Sequence, residues 1–256
     1  MLTAVSLGPG DHSLLAPAAR EAIEAAEVVA GYKGYVELVD PVLLEGKTVI
    51  STGMTGEVER VRRAVACARE GRRTVMVCSG DAGVYAMAGL LLEVLEAEGL
   101  LGAVPFAVVP GVPAFVAASA LLGAPLMHDF ASVSLSDLLT PWEVIEKRLR
   151  LAAEADFVLA VYNPRSKKRR DHLARALAVV GEHRAPETPV GIVERAYRTG
   201  QAVTLTTLGG VDPGVVDMQT VLVIGNSATR RAGDFLLTPR GYDRKYDLAA
   251  DPGSQE

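Results

Sequence analysis

The chain has 256 residues, of which 49% are hydrophobic but only 5% aromatic, and its formal net charge is −5. That length accommodates one large domain or two small ones with a substantial core, while the acidic balance creates no overall field toward nucleic acid or anionic lipid. No apolar stretch approaches the roughly 20 residues that span a bilayer, and two cysteines, Cys67 and Cys78, are too few for a four-thiolate iron–sulfur or structural zinc site.

In chain order, Leu2 to Leu7 is expected as a strand and Pro17 to Ala26 as an amphipathic helix, with Pro17 suited to its first turn. Glu27 to Ala30 and Thr48 to Ser51 read as short strands. Gly56 to Glu70 reads as a charged helix with Glu59 and Arg63 at i,i+4 spacing. Strand Thr74 to Cys78, helix Val84 to Glu98 and strand Phe106 to Val109 follow. Such βα repetition implies a mainly parallel sheet with right-handed crossovers. Ala114 to Leu122 is a helix of small residues, and Gly123-Ala124-Pro125 breaks the pattern. We therefore expect an N-terminal α/β domain over 1–122, a C-terminal α/β domain over 126–246 and a flexible tail over 247–256.

In the second half, Ala131 to Leu135, Phe157 to Tyr162 and Pro189 to Val193 read as strands, and Pro141 to Ala153 and Lys168 to Val180 as helices. The alternating runs Gln201 to Leu208 and Thr220 to Ile224 suit antiparallel strands. The fold class is thus α/β, with a parallel-sheet domain followed by a mixed-sheet domain. With no secretory leader pattern and no use of cysteine as a disulfide framework, two buried thiols in a reducing, cytoplasmic setting are expected, with no membrane and no nucleic acid as partners.

The stretch Ser79-Gly80-Asp81-Ala82-Gly83-Val84-Tyr85 follows a buried strand directly. Open α/β sheets bind ligands at the carboxyl ends of such strands, where glycines allow close backbone approach and a carboxylate is left to read the ligand; an ordinary strand-to-helix turn is the competing reading. Gly8-Pro9-Gly10-Asp11 follows the first strand. It lacks the third glycine of a dinucleotide fingerprint, and no Gly-Lys-Ser/Thr follows at the spacing a P-loop requires. No Gly-x-Ser-x-Gly elbow is present, and His12, His128, His172 and His183 show no metal-ligand spacing, so no metal site is expected. His128 beside Asp129 can orient an imidazole or form a structural pair, whereas His172 and His183 read as solvated. The basic run Arg165 to Arg170 is either a solvated helix start or a clamp for acidic substrate groups. Trp142 reads as a core or interface anchor.

Together these segments resemble the tetrapyrrole (corrin/porphyrin) methylases, over roughly residues 2–242. The resemblance is carried by Val5-Ser6-Leu7-Gly8-Pro9-Gly10-Asp11, by 79–89 with alanine where the family has proline, by Val109-Pro110-Gly111-Val112-Pro113-Ala114 and by Thr188-Pro189-Val190-Gly191-Ile192-Val193. Gly31-Tyr32-Lys33-Gly34-Tyr35, His128-Asp129-Phe130, Tyr162-Asn163-Pro164-Arg165-Ser166 and Thr238-Pro239-Arg240-Gly241-Tyr242 are similar to the branch that methylates C-17 of precorrin-3B or cobalt-factor III.

The resemblance implies a homodimeric S-adenosylmethionine-dependent enzyme acting on a tetrapyrrole in cobalamin biosynthesis. It implies methyl-donor contacts at Pro9, Gly80, Asp81, Val84, Pro113, Ala114, Tyr162 and Ala196. Gly10, Tyr35, Arg165 and Lys167 would border the macrocycle, and Asp11, His128 and Asp129 are candidates for the proton transfers of ring contraction. A sister methylase acting at another corrin carbon, such as C-11 of precorrin-4, is the nearest alternative. An RNA or protein methylase of the same fold, a nicotinamide oxidoreductase and a non-catalytic binding module are more distant ones.

Overall fold

The computed structural model describes residues 1–166 and 168–249; Lys167 and 250–256, the last part of the expected tail, lie outside the described residues. The chain forms two units, Met1–Ala117 with Arg195–Gly200, and Ala118–Glu194 with the chain from Gln201.

The first unit contains β1 (Leu2–Ser6), α1 (Pro17–Ala25), β2 (Val28–Tyr32), the single turn α2 (Lys33–Val36), β3 (Thr48–Thr52), α3 (Glu57–Arg69), β4 (Thr74–Cys78), α4 (Ala88–Ala97) and β5 (Phe106–Val109). Its sheet is wholly parallel, in the order β3-β2-β4-β1-β5. Both faces are covered, which is why β1 and β4 read as unbroken apolar runs rather than alternating ones. Leu2, Ala4, Val28, Ala30, Met76 and Cys78 face α3 and α4, where Val61, Ala64, Val65, Ala68, Leu91 and Leu95 form the apolar stripes. Val5, Val29, Val75 and Val77 face Ala19 and Ile23 of α1. Glu59 and Arg63 pair at 3.6 Å on the exposed side of α3.

Two expectations about the thiols divide. Cys67 is only half-buried, whereas Cys78 is enclosed and free. Burial pushes the Cys78 thiol up to about 11, against partial relief from the Met87 amide and the Arg60 charge. The unfolded thiol loses its proton near pH ~8.5 while the folded one keeps it. Stability is therefore fully present below that pH and falls as pH rises toward 11, by roughly 3 kcal/mol. Denaturant midpoints at pH 8 and 10.5 should diverge more for the wild type than for Cys78→Ala; parallel behaviour would refute this account.

The division between the units falls within α5 (Ala114–Leu122). The second unit continues with β6 (Gly123–Ala124), β7 (Phe130–Ser134), α6 (Trp142–Glu154), β8 (Val158–Tyr162), α7 (His172–Gly181), β9 (Pro189–Glu194), β10 (Ala202–Thr207), β11 (Thr220–Ile224), β12 (Arg230–Ala232) and β13 (Phe235–Leu237). The larger sheet runs β10-β9-β11-β8-β7, antiparallel except for the β7–β8 pair. A small sheet, β12-β13-β6, has strands of two or three residues that no periodicity announces. Leu135, Leu159, Val161, Ile192 and Leu222 pack against Ile145, Leu149, Leu173 and Val180 of α6 and α7. Each fully buried Leu or Ile contributes about 2 kcal/mol of transfer free energy.

Trp142 anchors this core. Its indole Nε1 donates to Glu146 Oε2 at 2.9 Å, the Arg175 guanidinium lies 4.1 Å from the ring centroid, and His172 meets it edge-on at 5.0 Å. His172 is thus not the solvated residue the sequence suggests: its Nε2 bonds Asp137 Oδ2 at 2.9 Å and holds that carboxyl below the usual range. His183 is exposed as expected.

Two helices start later than their sequences suggest. Turn geometry occupies 83–87, where the Val84 amide bonds the Asp81 carbonyl and Tyr85 adopts φ +52°, so α4 begins at Ala88. Arg165, Ser166 and residues 168–170 of the basic run lie in a loop rather than a helix start. Arg169 is buried there, its guanidinium donating to Ser136 Oγ and its amide to Ser166 Oγ, and α7 begins at His172.

Candidate functional site

Strands β4 and β1 are neighbours, yet the chain leaves them in opposite directions. From β1 it crosses to β2 through α1, and from β4 to β5 through α4 on the other face. The two connections thus run over opposite faces, and the carboxyl ends of strands at such a point are where open α/β sheets bind ligands. The loops after β1, β4 and β5 converge at this edge.

One buried hydroxyl ties the three together. Ser6 Oγ donates to the Val109 carbonyl at 2.6 Å and accepts from the Ala82 amide at 2.8 Å. Gly8 and Gly80, at φ +67° and +70°, exchange two backbone hydrogen bonds of 3.0 and 2.7 Å, a pairing made in the left-handed region that glycine enters without strain. Gly111 completes the knot by close approach. A Cβ there would lie 2.5 Å from Ser6 Cβ and 2.8 Å from the Gly80 carbonyl.

Asp81 staples two of these loops. Its Oδ1 accepts from the Gly83 amide at 2.8 Å and its Oδ2 from the Gly111 amide at 2.9 Å, a charge-assisted pair stronger than ordinary amide bonds. A Cβ on Gly80 would sit 3.6 Å from the Ala114 nitrogen and 3.7 Å from Pro113 Cα, so Gly80, Asp81, Pro113 and Ala114 share one edge. Val84 is half-buried on the same loop. Pro9 joins the group through its carbonyl, which accepts from Arg198 Nε, while Arg198 Nη2 donates to Ser79 Oγ. Ala196 lies on the segment 195–200, which belongs to this unit.

Tyr35 packs edge-on against Tyr32, with ring centroids 5.2 Å apart. Burial raises its phenol above the usual value, the nearby Cys78 adds to this and Arg198 opposes it. Asp11 caps the turn after β1: its Oδ1 accepts from the Ser13 amide at 2.8 Å and hydroxyl at 2.7 Å, and these bonds hold its carboxyl below the usual range. An acid so held remains ionised at neutral pH and has no proton to give.

The other candidates lie in the second unit. Tyr162 ends β8, half-buried, its carbonyl accepting from the Leu135 amide at 2.9 Å. Arg165 donates from Nη1 to the Gly214 carbonyl. His128 Nδ1 accepts from the Asp129 amide at 2.9 Å, and the Asp129 carboxylate stands 3.6 Å away, so backbone rather than carboxylate fixes the exposed imidazole. Sequence reasoning missed Ser6 and Arg198. A serine ending an otherwise apolar strand was the available signal for the first; the second has none, because it is delivered by backbone conformation.

The model of one protein family, described as Tetrapyrrole (Corrin/Porphyrin) Methylases, matches residues 1–212. The chain belongs to that family. Among its relatives, a Salmonella typhimurium protein named probable cobalt-factor III C(17)-methyltransferase is 47% identical over 242 residues, covering 94% of this chain and 99% of that one. The chain spans about half the length of several other relatives it matches. The crystal structure of the methyltransferase CobJ superposes with a TM-score of 0.89 at 41% identity, over 93% of this chain and 99% of that chain. A uroporphyrin-III C-methyltransferase of Thermus thermophilus, solved in complex with S-adenosylhomocysteine, gives a TM-score of 0.64 at 28% identity, over 88% and 91% of the two chains. This tetrapyrrole methylase thus has the two-domain α/β fold of its relatives. Among the described residues, no helix is long and apolar enough to cross a membrane.

Proposed function

We propose that this tetrapyrrole methylase transfers a methyl group from S-adenosylmethionine to C-17 of cobalt-factor III or precorrin-3B, with contraction of the macrocycle. The observation that carries the reading is likeness to the Salmonella typhimurium protein named probable cobalt-factor III C(17)-methyltransferase over 99% of its length. The residues present suit a nucleoside donor. The Gly8, Gly80 and Gly111 backbones and the small Pro113 and Ala114 keep side-chain bulk low where the three loops meet. When bound, the donor supplies an electrophilic methyl group on a sulfonium.

The protein then has to position rather than activate. It holds the nucleophilic carbon in line and excludes water, which rigid loops do better than mobile ones. In this reading Pro9, Gly80, Asp81, Val84, Pro113, Ala114, Tyr162 and Ala196 contact the donor, and Gly10, Tyr35, Arg165 and Lys167 border the macrocycle. Asp11, held ionised, serves as a base or orienting charge, with His128 and Asp129 as the remaining proton-transfer candidates. Cobalt, where present, belongs to the substrate. A homodimer in a cytoplasmic setting completes the reading, in keeping with the free thiols of Cys67 and Cys78; light scattering should give twice 27.0 kDa.

The decisive experiment is incubation with cobalt-factor III and, separately, precorrin-3B, each with labelled methyl donor, followed by mass spectrometry and NMR. Label at C-17 is expected, and label at any other carbon would refute the assignment. Arg165→Ala should raise the tetrapyrrole KM roughly five-fold, the scale of an exposed charge contact, with donor affinity intact. An unchanged KM would reduce Arg165 to a tether for Gly214.

A further inference from the structure

The segment 195–200 is built to deliver one side chain. Arg195 and Tyr197 take φ +46° and +56°, left-handed values that a non-glycine residue holds only where surrounding structure enforces them. The Arg198 amide closes the turn on the Arg195 carbonyl at 2.9 Å. The Arg198 side chain then lies against Gly10, where a Cβ would come within 2.7 Å of Nε and 2.9 Å of Cγ, so glycine at position 10 makes room for it.

At its tip the guanidinium donates to two neutral acceptors, the Pro9 carbonyl and the Ser79 hydroxyl. Among the described residues no carboxylate pairs with Arg198. Burial lowers it from its usual value, and Tyr35 is the one group opposing that trend. A guanidinium has five N–H donors in a fixed fork; two are used here, and three remain. A partly desolvated cation without a counter-ion is costly, and this half-buried one stands on the first-unit loops at the carboxyl edge of the sheet.

We propose that Arg198 is a carboxylate-binding residue, holding by its free N–H groups either the amino-acid carboxylate of the methyl donor or an acidic side chain of the tetrapyrrole. This rests on the methylase reading above and deepens it. Fixed by Pro9 and Ser79, the fork is oriented before the ligand arrives, so little ordering entropy is lost on binding.

The test compares wild type with Arg198→Gln, using S-adenosylhomocysteine, methylthioadenosine (which lacks the amino-acid group) and the tetrapyrrole. If the donor carboxylate is held, the S-adenosylhomocysteine Kd rises at least about ten-fold while that of methylthioadenosine stays constant. If the macrocycle is held, both nucleoside affinities stay constant and the tetrapyrrole KM rises about ten-fold, with kcat little changed. Equal weakening of both nucleosides, the mark of a loop clamp only, overturns the proposal, as does no change in any arm. Should Arg198→Gln fail to fold, Arg198→Lys decides. A three- to ten-fold loss, roughly that of replacing a fork by a point charge, confined to one arm supports the proposal; loss in every arm or in none overturns it. A wild-type chain that binds no S-adenosylhomocysteine and methylates no tetrapyrrole removes the methylase reading and this inference with it, whereas an active wild type with an indifferent Arg198 removes the inference alone.

Discussion

Gly111→Val is expected to destabilise the first unit by about 3 kcal/mol and to eliminate binding of S-adenosylhomocysteine. The first added carbon would already stand 2.5 Å from Ser6 Cβ, 2.8 Å from the Gly80 carbonyl and 3.4 Å from the Gly8 amide. None of these neighbours is the free end of a flexible side chain, so relief requires moving backbone. Any such movement breaks the Ser6 bridge between the Val109 carbonyl and the Ala82 amide, leaving buried polar groups unsatisfied. Calorimetry should show the unit melting roughly 6–12 °C lower. A melting temperature within about 2 °C of wild type, with donor affinity retained, would mean that the three loops are not locked together.

Asp81→Ala should weaken S-adenosylhomocysteine by roughly 30- to 100-fold, the worth of one or two charge-assisted hydrogen bonds, while the protein stays folded. In the sequence Asp81 reads as a direct donor contact. In the structure both of its oxygens already accept backbone amides, from Gly83 and Gly111, so part of its effect must come through the shape of the loops. Asp81→Asn separates the two contributions: it keeps one acceptor oxygen and the side-chain volume, and its loss should fall between wild type and alanine. Titration calorimetry on all three proteins reads this directly, and an unaltered Kd in Asp81→Ala would remove the residue from the site.

How far the sequence carried depended on which physical signal each element leaves. The parallel sheet was legible because strands covered on both faces are continuous apolar runs, as Thr74 to Cys78 shows. Ends of elements were less so. Nothing in Val84-Tyr85-Ala86-Met87 opposes a helix, yet the bond from the Val84 amide to the Asp81 carbonyl and the left-handed Tyr85 use those residues as a turn. His172 sat in a polar stretch, and its partners Asp137 and Trp142 are distant in sequence. The site divides in the same way. Glycines at strand ends announce close approach, but Ser6 looks like any strand residue, and Arg198 depends on left-handed Arg195 and Tyr197, which composition cannot show.

The anchoring of Trp142 has a practical corollary for all of these measurements. It is the only tryptophan in the chain, so near-ultraviolet emission excited at the red edge originates from one place, beneath a guanidinium and beside an imidazole. That optical signal originates in the second unit, whereas Gly111, Asp81 and Cys78 reside in the first. A fluorescence melt therefore reports the second unit, whereas far-ultraviolet dichroism registers both, and a gap between the two traces for a variant at the sheet edge would itself show the units letting go separately.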